Sequence, residues 1–174
     1  MAIIIDTNCF ANVFNRKSTN HKEYRPVLDW IVKGKGVVVY GGTKYIEELR
    51  KAPKYLPIMR LLREIDKVII GNTENIDRLQ AEIEANRIDV DFDDPHLPAI
   101  IIDTKCRLIC SEDKRSIPFV RNRDLYPNGI HTPSYYTGLR NKNLLCDNYI
   151  HDDLKPLCKL KKEQANLVGR LLGN

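Results

Sequence analysis

The sequence contains no long hydrophobic run: its apolar stretches at 3–5, 37–40 and 99–102 are each broken within a few positions. A membrane-spanning helix needs about 20 consecutive apolar residues, so none is expected, and no membrane partner either. Cysteine is scarce and odd in number, five in all, with no Cys-x-x-Cys pair and with Cys106 and Cys110 four apart. That argues against a disulfide framework or a zinc site and for the reducing cytoplasm. The N-terminus lacks a basic leader and carries Asp6, which is not the pattern of a signal peptide. No internal repeat and no low-complexity tract is visible. What is present is ordinary for a folded protein, 43% hydrophobic and 29% charged residues, which excludes a disordered or fibrous chain. A length of 174 residues predicts one compact domain.

The net charge of +5 is unevenly distributed. Residues 121–174 hold nine basic and five acidic side chains, against 19 and 18 in the first 120. A mildly basic C-terminal third suits a polyanionic partner, although such charge is more often a solvated surface.

Four short runs rich in β-branched residues, 2–5, 36–40, 67–70 and 107–110, read as strands buried on both faces. Between them, apolar residues recur at helical spacing over 24–33, 43–51, 55–65, 73–86 and 96–105. Strands alternating with helices predict an α/β fold with a central parallel sheet. Turn-forming residues at 126–129 and 132–134 make 124–148 read as a loop, and 154–172 reads as a terminal helix interrupted by Pro156.

The acids fall where such a fold collects them. Asp6 follows the first strand, Glu47 and Glu48 lie on the helix after the second, and Asp113 comes three residues after the fourth. Asp89, Asp91, Asp93 and Asp94 crowd the start of the 96–105 helix. In an open parallel sheet the strand C-termini share one edge, where ligands bind. Asp6, Glu48, Asp94 and Asp113 are therefore expected to converge there. Carboxylates so gathered repel one another unless a cation neutralises them, and Mg²⁺ or Mn²⁺ suits an all-oxygen site. Such ions act on phosphodiesters by activating water and stabilising the attacking and leaving oxygens.

With these residues the sequence resembles the PIN-domain nucleases. That family opens on a strand ending in a triplet like Asp6-Thr7-Asn8 and continues with a helical Glu-Leu pair, here Glu48-Leu49. It then has an Asp opening a helix with Ala five residues on, here Asp94 and Ala99, and a strand running into Ser-x-Asp, here Ser111-Glu112-Asp113. The likeness covers roughly residues 1–120 and leaves a basic extension unexplained; we divide the chain into a nuclease-like part, 1–123, and an extension, 124–174, packed on it. It implies a three-layer α/β/α fold and a metal-dependent endoribonuclease that cleaves RNA, either the toxin of a toxin–antitoxin pair or an RNA-processing enzyme. An antitoxin-like protein and a homodimer are the partners it implies. The chain departs from the family's pattern in having Ser116 where a further acid often stands, which leaves one or two metal ions open. A catalytically weak nucleic-acid-binding module of the same fold is the alternative reading.

Other residues carry two readings. Glu48 is favoured as the metal-facing acid over its neighbour Glu47. Asn8 either caps the next helix or, as the resemblance implies, bonds an acid; Ser111 either bonds an acid or caps a turn. Asp91 and Asp93 read as solvated neighbours, His96 as structural or exposed, Asp103 as facing solvent or a basic neighbour, and Cys9 as core. Pro95 fits the first helical position. Tyr126, Tyr135, Tyr136 and Tyr149, interleaved with Arg121, Arg123, Arg140 and Lys142, could bind nucleic acid, and packing onto the core is the favoured role of the tyrosines.

Overall fold

A computed structural model describes residues 2–86, 91–146, 154 and 158–173. Five strands, β1 (Ala2–Ile5), β2 (Val37–Tyr40), β3 (Val68–Ile70), β4 (Leu108–Cys110) and β5 (Ser134–Tyr136), form one sheet in the order β3-β2-β1-β4-β5. Every pairing is parallel. Helices flank the sheet as in a three-layer α/β/α arrangement: α1 (Phe10–Phe14), α2 (His21–Lys33), α3 (Thr43–Lys51), α4 (Leu56–Glu64), α5 (Thr73–Asn86), α6 (His96–Thr104), α7 (Ser116–Val120) and α8 (Lys162–Leu171). Among the described residues no helix is long and apolar enough to cross a membrane.

The central strands are the continuous apolar runs, and every residue of β1, β2 and β4 is buried. Both of their faces are covered, so alternation with polar residues would bury unpaired polar groups. The edge strand β3 is only partly covered, and Ile70 is exposed. Helix α6 is apolar nearly all round and almost wholly buried. The β2–α3 junction needs glycine at position 42, where φ is +79° and an added Cβ would lie 2.5 Å from Ile76 Cγ2.

Three sequence expectations change here. Residues 124–148 are not simply loop, because Ser134–Tyr136 pairs with β4 as the fifth strand. The terminal helix begins only at Lys162. Ahead of it, the Cys158 carbonyl accepts a 2.8 Å hydrogen bond from the ammonium of Lys67, a buried side chain that also donates to the carbonyls of Gly34 and Gly36 at 3.1 Å each. Positions 155–157 of that expected helix lie outside the described residues, as do Asp89 and Tyr149. Pro95 directly precedes α6 rather than opening it.

Candidate functional site

The strand order reverses beside β1, with β2 and β3 on one side and β4 and β5 on the other. A crevice opens at such a point beyond the strand C-termini, because the chain leaves the two central strands in opposite directions. The segments following β1 and β4 border it, and they bring Asp6, Ser111 and Asp113 together.

Asp6 is 8% exposed and is held on both oxygens. Its Oδ2 accepts from the Ser111 hydroxyl at 2.7 Å and from Asn8 Nδ2 at 2.9 Å, and its Oδ1 accepts from the Asn8 amide at 3.3 Å. Burial raises its pKa even against these donors. Ser111, fully buried, also accepts the Asp113 amide at 3.1 Å. One hydroxyl thereby ties the two acids together.

Glu48 reaches the same place from α3. Its Oε2 accepts from the Thr7 hydroxyl at 3.1 Å and stands 3.9 Å from His96 Nε2, while Lys44, one helical turn earlier, lies 3.9 Å from Oε1. Glu47 is exposed and lines a separate depression with Thr43, Asp77 and Glu84. Of the two adjacent acids, Glu48 is the one turned toward Thr7 and His96.

Asp94, just ahead of α6, completes the group. Burial pushes its pKa up, and the charges of Asp6, Glu48, Asp113 and Asp93 push it further, to about 7. No hydrogen-bond donor meets its carboxylate among the described residues. Between Asp94 and Asp113 lies a depression of about 460 Å³ lined by Asp91, Asp93, Arg115, Ser116 and Phe119. Asp91 and Asp93 are exposed at its rim. Asp113 differs from Asp94 in having a partner. Burial would raise its pKa, but the amide and guanidinium of Arg115 outweigh that and hold it below the usual carboxylate range. The guanidinium lies 3.3 Å from Oδ1.

Of the four carboxylates named from sequence, Asp94 feels the charges of the other three and Asp6 feels that of Glu48, with Asn8 and Ser111 bonded to Asp6. Arg121, Arg123, Arg140 and Lys142 are exposed and line no part of the depression. Arg123 donates to the Tyr126 carbonyl at 2.7 Å and Arg140 to the Thr137 hydroxyl at 3.1 Å. Tyr126, Tyr135 and Tyr136 are buried, as the packing reading expected, and so is Cys9. Asp103 corrects its expectation: it accepts the Asn72 amide at 2.9 Å and Asn75 Nδ2 at 2.7 Å, fastening α6 to the start of α5.

Sequence reasoning gave no role to three neighbours of the acids and read a fourth, His96, as structural or exposed. Thr7 lies inside the Asp-Thr-Asn triplet, Lys44 stands four residues before Glu48 and Arg115 two after Asp113, so local spacing could have found all three. His96 is buried, and burial lowers its pKa to about 4 despite the negative charge of Asp6, leaving the ring neutral at pH 7. Among the described residues its Nδ1 has no hydrogen-bond partner.

Among the described residues no three His, Cys, Asp or Glu side chains are drawn together as a metal-holding group. The donor chemistry nonetheless fits a hard divalent cation. The set is all-oxygen, it is short of local positive charge, and Asp94 carries the electrostatic signature of that shortage. Comparison of the chain with protein-family models, with curated proteins and with solved structures finds no match in any of the three.

Proposed function

We propose that the chain is a metal-dependent ribonuclease that hydrolyses RNA phosphodiester bonds at the crevice between β1 and β4. The observation that carries the reading is that Asp94 and Asp113 line one depression while Ser111 ties Asp6 to Asp113; burial and the charges of Asp6, Glu48 and Asp113 accordingly raise the Asp94 pKa. Four buried or half-buried acids sharing one crevice cost stability, and the cost is relieved by a cation held among them. Asp6, Glu48, Asp94 and Asp113 are the residues that would hold Mg²⁺ or Mn²⁺. Bound there, such an ion supplies Lewis acidity toward a phosphoryl group and a nucleophile from water at neutral pH.

The protein's own contribution is orientation. Ser111 and Asn8 fix the Asp6 carboxylate, Thr7 fixes Glu48, and the Ser111 link keeps Asp6 and Asp113 in a constant relation. Preorganised carboxylates need not rearrange during reaction, which is where most of the rate advantage of such sites originates. Arg115 lines the depression and is positioned to meet an incoming phosphate once Asp113 has another counter-charge. RNA as the preferred polymer follows from the likeness to the PIN-domain nucleases, since the acids select phosphate and metal rather than sugar.

The test is cleavage of labelled single-stranded RNA and DNA with Mg²⁺, with Mn²⁺ and with EDTA. Metal-dependent cleavage of RNA that disappears in Asp6→Asn and Asp113→Asn supports the assignment. Cleavage that survives both substitutions, or the absence of any cleavage with either metal, overturns it.

A further inference from the structure

Three cations gather at a second depression, of about 400 Å³, where the turn after α1 meets the start of α4 and the end of α8. Arg16, Lys17 and Lys54 line it together with the ring of Tyr55, and no acidic side chain does. All three cations are exposed, and among the described residues none is paired with a carboxylate. Other concave surfaces of the molecule lack this excess. Between α2 and α8, Arg25 and Lys33 both meet Asp29, at 3.3 and 2.8 Å. Between α4 and α8, Arg60 and Arg170 share their groove with Glu64. Arg16, Lys17 and Lys54 come from the first 120 residues, where basic and acidic side chains nearly balance, so composition does not reveal them.

The depression is tied to the crevice along three stretches of chain. Thr7 and Glu48 bond at the crevice, and Phe10 and Phe14, further along the first segment, rest against Tyr55, with ring centroids 5.7 and 6.4 Å away. The segments from Thr7 to Arg16 and from Glu48 to Lys54 therefore run side by side from the acids to the cations. The third tie is the α1–α2 turn, where Asn20 Nδ2 donates at 2.9 Å to Glu112, the residue beside Asp113. Lys17 is three residues before Asn20, so their Cα atoms lie within about 11 Å. The turn itself is fixed: the Lys17 amide donates to Asn15 Oδ1 at 3.2 Å, and the Ser18 hydroxyl to Asn12 Oδ1 at 2.5 Å.

Resting on the ribonuclease reading, we infer that this depression holds the single-stranded RNA that continues from the scissile phosphate. Unpaired cations on a fixed turn match a backbone that repeats its negative charge along its length. Tyr55 adds what a simple anion site does not need, a half-buried aromatic ring on which a base stacks. The Lys54 ammonium lies 5.5 Å from the centroid of that ring, so it can pass to a phosphate as a base arrives. The acids handle the reacting phosphate, and the cations hold the strand beyond it, far enough away not to compete for the metal ion.

The test is binding of a labelled single-stranded RNA about 12 nucleotides long, followed by fluorescence anisotropy in EDTA, so that no metal-dependent turnover intervenes. Lys17→Gln/Lys54→Gln should weaken binding roughly tenfold and lower the slope of log K against log salt by about 1.4, at about 0.7 per phosphate contact. Its Tm should not change, because both side chains are exposed and unpaired. Lys35→Gln/Lys159→Gln, the same charge change ahead of β2 and ahead of α8, should bind as the wild type does. Equal binding by the Lys17/Lys54 variant, or equal loss in the Lys35/Lys159 variant, overturns the inference. Displacement of the RNA by polyglutamate at matched charge also overturns it, in favour of an acidic protein. The ribonuclease reading is judged separately, by hydrolysis of bis(4-nitrophenyl) phosphate with Mn²⁺, a diester too short to reach the cations from the acids. Unchanged hydrolysis in the Lys17/Lys54 variant beside weakened RNA binding supports both readings. A wild-type protein that hydrolyses neither this diester nor RNA, but binds RNA through Lys17 and Lys54, keeps the strand site and overturns the ribonuclease.

Discussion

Two groups of aspartates, one at the contacts of α5 and one at the β1–β4 crevice, behave in opposite ways. Near α5, Asp77 accepts the amide and hydroxyl of Thr43 at 2.7 and 2.5 Å, and Asp103 accepts from Asn72 and Asn75. These carboxylates meet hydrogen-bond donors from neighbouring helix starts, and they fasten α3 to α5 and α5 to α6. At the β1–β4 crevice, Asp94 has no donor among the described residues, and its pKa is raised by burial and further by the acids around it. The donors to Asp77 and Asp103 join one helix to another and make these carboxylates part of the scaffold, whereas those to Asp6 orient it at the crevice. A carboxylate whose charge is opposed by its neighbours stores free energy that a ligand can release.

The contrast is broken most directly at Asp6. Asp6→Asn should lower metal-dependent RNA cleavage on the order of 10²–10³-fold or more while leaving the Tm equal or higher, since it removes a repelled charge. Melting and cleavage assays on the same preparation decide it, and a large fall in Tm would move Asp6 to the scaffold group. Asp103→Ala should do the reverse: a loss of about 1–2 kcal/mol, or roughly 2–8 °C in Tm, with the cleavage rate per folded molecule unchanged. Equal losses of stability at the two positions would erase the distinction.

Asp94 sharpens the comparison through pH. Its carboxyl titrates near 3.8 when unperturbed and near 7 in the folded protein. Between those values the folded chain keeps a proton that the unfolded chain has released, so this group's contribution to stability declines as pH rises from about 4 to 7 and is level above. In EDTA, Asp94→Asn should flatten that component of the Tm profile and raise the Tm at pH 8 by a few degrees, at about 2–4 °C per kcal/mol. Added Mg²⁺ at pH 8 should raise the wild-type Tm more than that of the variant. The smallest effect belongs to Arg115. Arg115→Ala should leave the Tm unchanged, because the guanidinium is exposed, while the Asp113 pKa, followed by carboxyl NMR, moves up toward its ordinary value.

Much of the architecture is legible in the chain because its central strands are apolar on both faces. The runs at 2–5, 37–40 and 108–110 admit few other conformations once flanked by helices with one apolar stripe. Strand β5 escaped because Ser134–Tyr136 is three residues long and set among turn-forming residues, so no periodicity can develop. Its pairing with β4 is a long-range event without a local signal. Helix α1, five residues directly after the Asp-Thr-Asn triplet, escaped for the same reason. The spacing of 154–172 looked helical, but the Lys67 ammonium takes the Cys158 carbonyl that a helix would have used.

The site divides in the same way. Asp6, Glu48, Asp94 and Asp113 can be named from sequence because each stands next to an element whose own pattern is strong. The choice of Glu48 over Glu47 is different in kind. One residue turns a helical side chain by about 100°, and only the packing of α3 decides which acid meets Thr7 and which meets solvent.

The chain by itself therefore determined its parallel α/β class, and its local patterns of burial and spacing named four acids as candidates. The tertiary structure alone decided that the strand order reverses between β1 and β4, that a fifth strand extends the sheet, and which polar atoms stay unsatisfied. These are long-range outcomes. They depend on which faces meet and on where charges lack partners, and no local window of sequence contains both sides of such a contact.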